Sequence, residues 1–258
     1  MRSTAVRLWG LHGIPEIKPG DDLGQIILEA LREGADRPPR RGVPLRTRSI
    51  LVVAQKVVSK SEGRIVPLAG IEPSEKAFSW ARRYCKDARV IEVILRQARR
   101  LVRMDRGVLI VETPHGFICA NGGVDASNAP IGTVILLPED PDASARRIQD
   151  QLEKSLRRRV AVIISDTFGR PWRRGLTNVA VGVAGLLPIL DYRGQKDSQD
   201  RILQATTIAV ADEIAAAAEL VMGKTLGIPV AVLENFNYQY GEGSGRDLIR
   251  PESEDLFR

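Results

Sequence analysis

The sequence is poor in the residues that most often disclose a function. It has two histidines, His12 and His115, which excludes a His-rich zinc or iron site. Its two cysteines, Cys85 and Cys119, stand in no metal-like spacing and read as reduced thiols. Aromatic residues make up 5% of the chain, too few for a platform that stacks nucleic-acid bases. No stretch approaches the roughly 18 unbroken apolar residues of a membrane span. The opening "MRSTAVRLWG" holds no apolar signal-peptide core. Internal repeats and low-complexity linkers are also lacking. The expectation is a cytoplasmic protein whose partners are neither membrane nor nucleic acid.

The residues present are those of an ordinary globular chain, 43% hydrophobic and 27% charged over 258 residues. The net charge of +6 comes from 38 basic residues scattered among 32 acidic ones. The densest basic stretch, "DRPPRRGVPLRTR" (Asp36–Arg48), is rich in proline and reads as an exposed loop. Phosphates and carboxylates of small molecules account for such a balance as well as nucleic acid does.

Apolar runs and turn residues set the expected elements. A strand is expected in "LWGLHG" and a helix over Leu23–Arg32. "SILVVAQ" reads as a buried strand that "VVSKSEGRIVPL" continues through a turn at Gly63. Helices are expected over Ser74–Lys86 and Ile91–Val102, and a hairpin joins "GVLIVE" to "GFICA" through "TPHG". "TVILLP" is a further strand. Asp140 caps a helix with Pro141 at its first position and Ile148, Leu152 and Leu156 along one face. "VAVIIS" and "NVAVGVAGL" are strands, "ADEIAAAAELVMG" a helix ended by Gly223, and "IPVAVLE" the last strand. Helices and strands mix without a strict βαβ rhythm, so the fold class is α/β in the mixed α+β sense.

Two carboxylates stand at the edges of apolar runs, among small polar residues: Asp125 in "NGGVDASNA" and Asp166 in "ISDTFGR". Hard divalent cations take such oxygens, and the Thr167 hydroxyl could complete the shell. The residues alone equally allow Asp125 as an Asx-turn residue and Asp166 as the partner of Arg170 or Arg174. "GKT" at Gly223–Thr225 is no P-loop, because the required glycine five residues earlier is Ala218 and the helix precedes instead of following. Lys60 in "VVSKSEGR" suits a phosphate contact or a plain surface lysine. "HGIP" (His12–Pro15) offers turn amides, and "GEGSG" (Gly241–Gly245) lacks the strand–helix frame of a dinucleotide fingerprint.

The order and spacing of "HGIPEIKPGDDL", "VVSKSEGRIVPL", "NGGVDASNAP", "ISDTFGRPWRRG", "VADEIAAAAELVMG" and "GIPVAVLENF" resemble the coenzyme F420-0:L-glutamate ligase family from about Leu8 to the tail. The resemblance implies a ligase that uses GTP and Mg²⁺ or Mn²⁺, with K⁺ as an additional cation. Its substrates would be L-glutamate and coenzyme F420-0, a deazaflavin precursor, and glutamates after the first would be γ-linked. It also implies two intertwined subdomains in one family unit over residues 1–258 and a homodimer. With the chain ending at Arg258, the reductase-like domain fused to some members is not expected.

By the same resemblance Asp125, Asp166 and Thr167 are metal ligands, and Lys60 and Asp166 are catalytic. The nucleotide would meet His12, Gly13, Ile14, Pro15, Ala54, Gln55, Lys60, Asn128, Met222, Gly223, Lys224, Thr225, Leu226, Gly227 and Ile228. Some members carry an acidic second-metal ligand where this chain has Lys224, which puts that second metal in doubt and suggests a phosphate contact for Lys224 instead. Arg170, Arg173 and Arg174 would face phosphates or acidic substrate groups, and Arg173, Arg174, Arg193 and Lys196 are the candidates for the glutamate carboxylates. The expected chemistry is phosphorylation of the acceptor carboxylate followed by attack of the amine. The rivals are the same ligation on a folate or pterin, a metal-dependent phosphotransferase or hydrolase, and a non-catalytic RNA binder with steep salt dependence.

Overall fold

A computed structural model describes residues 5–35 and 48–255. Strand β1 (Arg7–Gly10) leads to helix α1 (Leu23–Ala35). Strand β2 (Ser49–Ala54) runs directly into helix α2 (Gln55–Ser61), followed by β3 (Ile65–Pro67). Helices α3 (Glu75–Tyr84) and α4 (Ala88–Gln97) precede β4 (Arg100–Asp105), β5 (Val108–Glu112) and β6 (Ile118–Ala120). Next come β7 (Thr133–Ile135) and α5 (Pro141–Leu156). Strands β8 (Val160–Arg170) and β9 (Arg173–Ala184) form a long hairpin. Short strands β10 (Leu190–Asp191) and β11 (Thr207–Ile208), helix α6 (Val210–Met222) and strand β12 (Val230–Glu234) complete the order. The class is mixed α/β, as the sequence pattern requires.

The central sheet has the order β1-β12-β2-β8-β9, with β2 and β8 parallel and the other pairs antiparallel. "SILVV" in β2 and "VAVIIS" in β8 are buried on both sides, which is why they read as unbroken runs instead of alternating ones. One face carries Ile27 and Leu28 of α1 with Ile148 and Leu152 of α5. The other carries the Ala-rich side of α6, including Ala211, Ala215 and Ala218. A third apolar cluster gathers Trp80, Ile91, Ile94, Leu109, Val111, Val124 and Val134, so α3, α4 and the β4-β5-β6 sheet share their own core.

Local chemistry explains several joints. Asp140 accepts the Ala143 N–H at 2.9 Å with Pro141 opening the helix, the cap read from the sequence. Asp142, one residue on, is buried and accepts the Val183 and Gly245 N–H groups at 2.8 Å and the Ser244 hydroxyl at 2.5 Å. It ties α5 to β9 and to the C-terminal segment. Position 182 must be glycine here, because a Cβ would lie 2.4 Å from the Pro141 carbonyl oxygen. Gly223 (φ +58) ends α6 and donates to the Glu219 carbonyl at 3.0 Å.

The structure corrects three expectations. "QKVVSKS" does not continue β2 but turns into α2, fixed by the Gln55 side chain donating to Ser59 Oγ at 2.6 Å and the Leu136 carbonyl at 3.1 Å. Helix α4 stops at Gln97 instead of Val102: Ala98 is extended, and the Arg99 N–H joins the Glu112 carbonyl at 2.8 Å to start β4. Strand β8 does not end at Ser165 but continues to Arg170, because "DTFGR" pairs with β9 as far as Arg173, with a register shift between Gly169 and Arg170. The Asp36–Arg48 loop, Arg48 apart, lies outside the described residues.

Candidate functional site

The sheet topology sends many of the singled-out segments to one end of the central sheet. Strands β1 and β2 both run antiparallel to β12, and β8 runs parallel to β2. The "HGIP" turn after β1, Ala54 and Gln55 after β2, and the loop before β12 therefore meet at one sheet end. Two hydrogen bonds seal this, from Leu11 N–H to the Val230 carbonyl and from Ala54 N–H to the Pro229 carbonyl, each 2.8 Å. Ser165, opposite Ala54, puts Asp166 at the same end. In open α/β sheets the crevice beyond the carboxyl ends of parallel strands is where ligands bind.

Asp125 arrives from the third cluster, held by backbone bonds to Ile135 of 3.0 and 2.8 Å. Its carboxylate accepts the Ser127 N–H at 2.6 Å and hydroxyl at 2.9 Å, so the Asx-turn reading holds as well. Lys56, in the first turn of α2, lies 2.8 Å from Asp125 Oδ2 and donates to Ser127 Oγ at 2.5 Å. Burial alone would raise the Asp125 carboxyl, but the Lys56 and Ser127 hydrogen bonds outweigh it and hold the group below its ordinary value.

Asp166 behaves in the opposite way. Protein packs about most of its carboxylate while one side stays open to solvent. Burial pushes the group up to about 6; the Thr167 N–H bond opposes this, the Asp125 charge adds to it, and Lys56 and Lys224 pull back. The Asp166 charge also supplements burial in pushing the Cys119 thiol up to about 12. Cys119 is thus an inert buried thiol.

Successive side chains on a strand face opposite ways, and Thr167 finds its own hydrogen-bond partners. Thr167 turns toward α6, donating to Asn178 Oδ1 at 2.7 Å and accepting from Lys224 Nζ at 2.5 Å. Asn178 donates to Glu219 Oε2 at 2.9 Å, and Lys224 lies 3.4 Å from Glu219 Oε1. The four side chains close a ring that fastens the α6–β12 loop to β8. Phe168, on the Asp166 side, meets Phe117 edge-on at 6.2 Å.

Among the described residues no three His, Cys, Asp or Glu side chains gather as a metal cluster. The donors here are the two carboxylates, while the Thr167 hydroxyl, expected to complete the shell, is engaged by Asn178 and Lys224 on the α6 side. The two carboxylates fit a hard divalent ion, which takes one or two protein carboxylates and completes its shell with water and phosphate oxygens.

The other singled-out residues fall as follows. His12, Gly13 and Pro15 are exposed and Ile14 packs on the core. The Gln55 amide is committed to the bonds that fix α2. Lys60 is largely buried with its ammonium 2.5 Å from Glu16 Oε1. Asn128 is exposed at φ +56, three residues past Asp125. Met222 and Ile228 are buried anchors, between which Lys224, Thr225, Leu226 and Gly227 are exposed. A cavity of about 230 Å³ lies between Arg64, Thr113, His115 and Leu136. It is smaller than the roughly 300–1,000 Å³ of drug-sized pockets.

The arginines do not surround Asp166. Arg170 pairs with Arg173 at the hairpin tip, and the Arg170 guanidinium donates to the Arg174 carbonyl at 2.9 Å. With the strand running on from Asp166 to Arg170, the tip lies roughly 13 Å further along. Arg193 pairs with Asp191 at 2.6 Å and Lys196 with Asp200 at 3.2 Å. The lysines at the carboxylates are Lys56 and Lys224. Lys56 had no sequence signal beyond its place beside Gln55.

Comparison with known proteins shows the family of the chain. The family model described as F420-0:Gamma-glutamyl ligase matches residues 13–235. The chain is 43% identical over 256 residues to the coenzyme F420:L-glutamate ligase of Methanothermobacter thermautotrophicus, covering 98% of this chain and 99% of that one. It is 44% identical over 216 residues to the same-named protein of Methanocaldococcus jannaschii, covering 83% and 86%. With the Methanopyrus kandleri protein of that name it shares 43% identity over 253 residues, 94% of each. The match runs from the "HGIP" turn through both carboxylates to the end of β12, and the chain belongs to the F420-0:gamma-glutamyl ligase family, a family of ligase enzymes.

Proposed function

We propose that the protein joins the amine of L-glutamate to the carboxylate of coenzyme F420-0 and then extends the tail through γ-linkages, hydrolysing GTP with a divalent metal bound. The observation that carries the reading is the convergence of Asp125 and Asp166 with Lys56 and Lys224 at the sheet end where the "HGIP", Ala54–Gln55 and Met222–Ile228 segments also meet.

A carboxylate is a poor electrophile. Transfer of the γ-phosphoryl group of GTP onto the acceptor carboxylate breaks the phosphoanhydride, releases GDP and gives an acyl phosphate. The glutamate amine then attacks the acyl carbon, and phosphate departs with formation of the amide. Asp125 and Asp166 would hold Mg²⁺ or Mn²⁺, which when bound neutralises phosphate charge. Lys60 and Lys224 supply fixed positive charge to the nucleotide phosphates. The "HGIP" turn, Asn128 and the Met222–Ile228 loop enclose the nucleotide. Lys224 is held ready for this by Thr167 and Glu219.

The exposed Trp172, Leu176, Leu220 and Leu226 provide apolar surface for a homodimer. Incubation with GTP, Mn²⁺ or Mg²⁺, L-glutamate and F420-0, read by product mass, tests the reading. A gain of one or more glutamyl units with release of GDP supports it. A gain only when a folate replaces F420-0 keeps the chemistry and changes the acceptor, and no gain with either refutes it. Asp166→Asn should lower turnover at least about a hundredfold while the protein stays folded.

A further inference from the structure

Helix α2 carries two lysines one turn apart, Lys56 and Lys60, which puts them on one face. Both ammonium groups are held by carboxylates, Lys56 by Asp125 at 2.8 Å and Lys60 by Glu16 at 2.5 Å. Lys56 differs in that its partner belongs to the carboxylate pair. Its Nζ also donates to Ser127 Oγ, the hydroxyl that itself donates to Asp125, so ammonium, hydroxyl and carboxylate form a closed triangle. The positive charge near Asp125 and Asp166 therefore comes from the chain itself. Asp125 Oδ2 cannot serve a divalent cation at full strength while the ammonium sits 2.8 Å away.

A divalent ion carries twice the charge of an ammonium and prefers carboxylate oxygens, so it outcompetes Lys56 for Asp125. The displaced ammonium stays tethered by its four-carbon stem, whose bonds are rotatable, and the side chain is about a quarter exposed. It is then an unpaired cation at the sheet end beside Ala54 and Gln55.

We propose that Lys56 is a resident cation of the site: it holds Asp125 until a divalent metal takes the carboxylate, and then turns to the phosphate chain of the nucleotide. This rests on the metal and nucleotide reading above. It makes Lys56 a phosphate-binding residue whose availability depends on metal loading, so metal and nucleotide bind with positive coupling.

Mn²⁺ binding to chelator-treated protein, followed by electron paramagnetic resonance of the free ion, tests the first half without turnover. Lys56→Met should bind Mn²⁺ at least about threefold more tightly than wild type, the change expected when a partly exposed competing ion pair is removed. Lys56→Arg, which keeps the pair, should bind as wild type does. Calorimetric titration of Mn²⁺-saturated protein with GTP, no acceptor present, tests the second half. Lys56→Met should bind GTP about tenfold more weakly there, having lost a charge-assisted contact.

Unchanged or weaker Mn²⁺ binding in folded Lys56→Met overturns the inference, as does unchanged GTP affinity. Asp125→Asn separates this failure from that of the underlying reading. If Mn²⁺ affinity is the same in wild type and Asp125→Asn, the metal site itself is wrong and both fall. If it depends on Asp125 and not on Lys56, only the role of Lys56 falls.

Discussion

Replacing Asp166 by asparagine should make the metal-free protein more stable while disabling it. The carboxylate carries a net penalty for being charged where it sits, since burial raises it from 3.8 to about 6. The folded state therefore holds its proton more tightly than the unfolded chain does. Stability on this account is fully present below about pH 4, declines as the pH rises through 6, and is lost above that. The difference between 3.8 and about 6 corresponds to roughly 3 kcal/mol as a ceiling. The side chain keeps some contact with water, so about 1–3 kcal/mol is the working range. Asparagine preserves the shape and the acceptor for the Thr167 N–H, now 2.7 Å from Oδ1, and carries no charge. In buffer containing a chelator at pH 7.5, Asp166→Asn should melt about 2–10 °C above wild type, and urea titration should show the same gain. At pH 4 the gain should disappear, because wild-type Asp166 is then protonated. An equal gain at both pH values, or no gain at pH 7.5, would refute the electrostatic account.

Lys224→Ala should open the ring through Thr167, Asn178 and Glu219 and raise the KM for GTP about tenfold; an unchanged KM would end its assignment to phosphate. Glu92 gives a pH dependence opposite in sign to that of Asp166. The Ser74 hydroxyl and N–H and the Arg96 guanidinium hold it down to about 2, so its contribution is complete above about 4.5 and fades as the pH falls toward 2. Glu92→Gln should be less stable than wild type at pH 7, with the gap closing in urea titrations as the pH approaches 2. Asp142→Ala leaves the buried Val183 and Gly245 N–H groups without acceptors, and should cost about 2–5 kcal/mol in urea unfolding.

Elements with a local cause were legible. Asp140 and Pro141 announced α5, Gly223 announced the end of α6, and the two continuous apolar runs announced β2 and β8. The misread elements depend on partners far along the chain. The valines of "QKVVSKS" suit a strand; the helix there rests partly on Gln55 reaching Leu136, and its N-cap, Ala54, supplies no side-chain bond. The polar "DTFGR" extends β8 only because β9 is long enough to pair with it. Asp125 and Asp166 stood out in the sequence as carboxylates at the edges of apolar runs, and the structure brings them to one sheet end. That Thr167 turns toward α6, and that the arginines lie out at the hairpin tip, follows from strand alternation and length, which no motif records. Lys56 was invisible because its partner is 69 positions away and its own surroundings resemble any helix surface.

The two carboxylates stand on different hydrophobic clusters: Asp166 on the central sheet, and Asp125 beside Val124 and Val134 of the α3–α4 cluster. The distance between them is therefore a reading of how the two cores are docked, like the gap of a caliper. Whatever bridges them works as a clasp, and its binding free energy is spent partly on keeping the jaws in register. Backbone amides at the seam, such as those of Asp125 and Ile135, should exchange with deuterium more slowly when the clasp is shut. Amides deep within either core, such as Leu51 or Val111, should hardly notice.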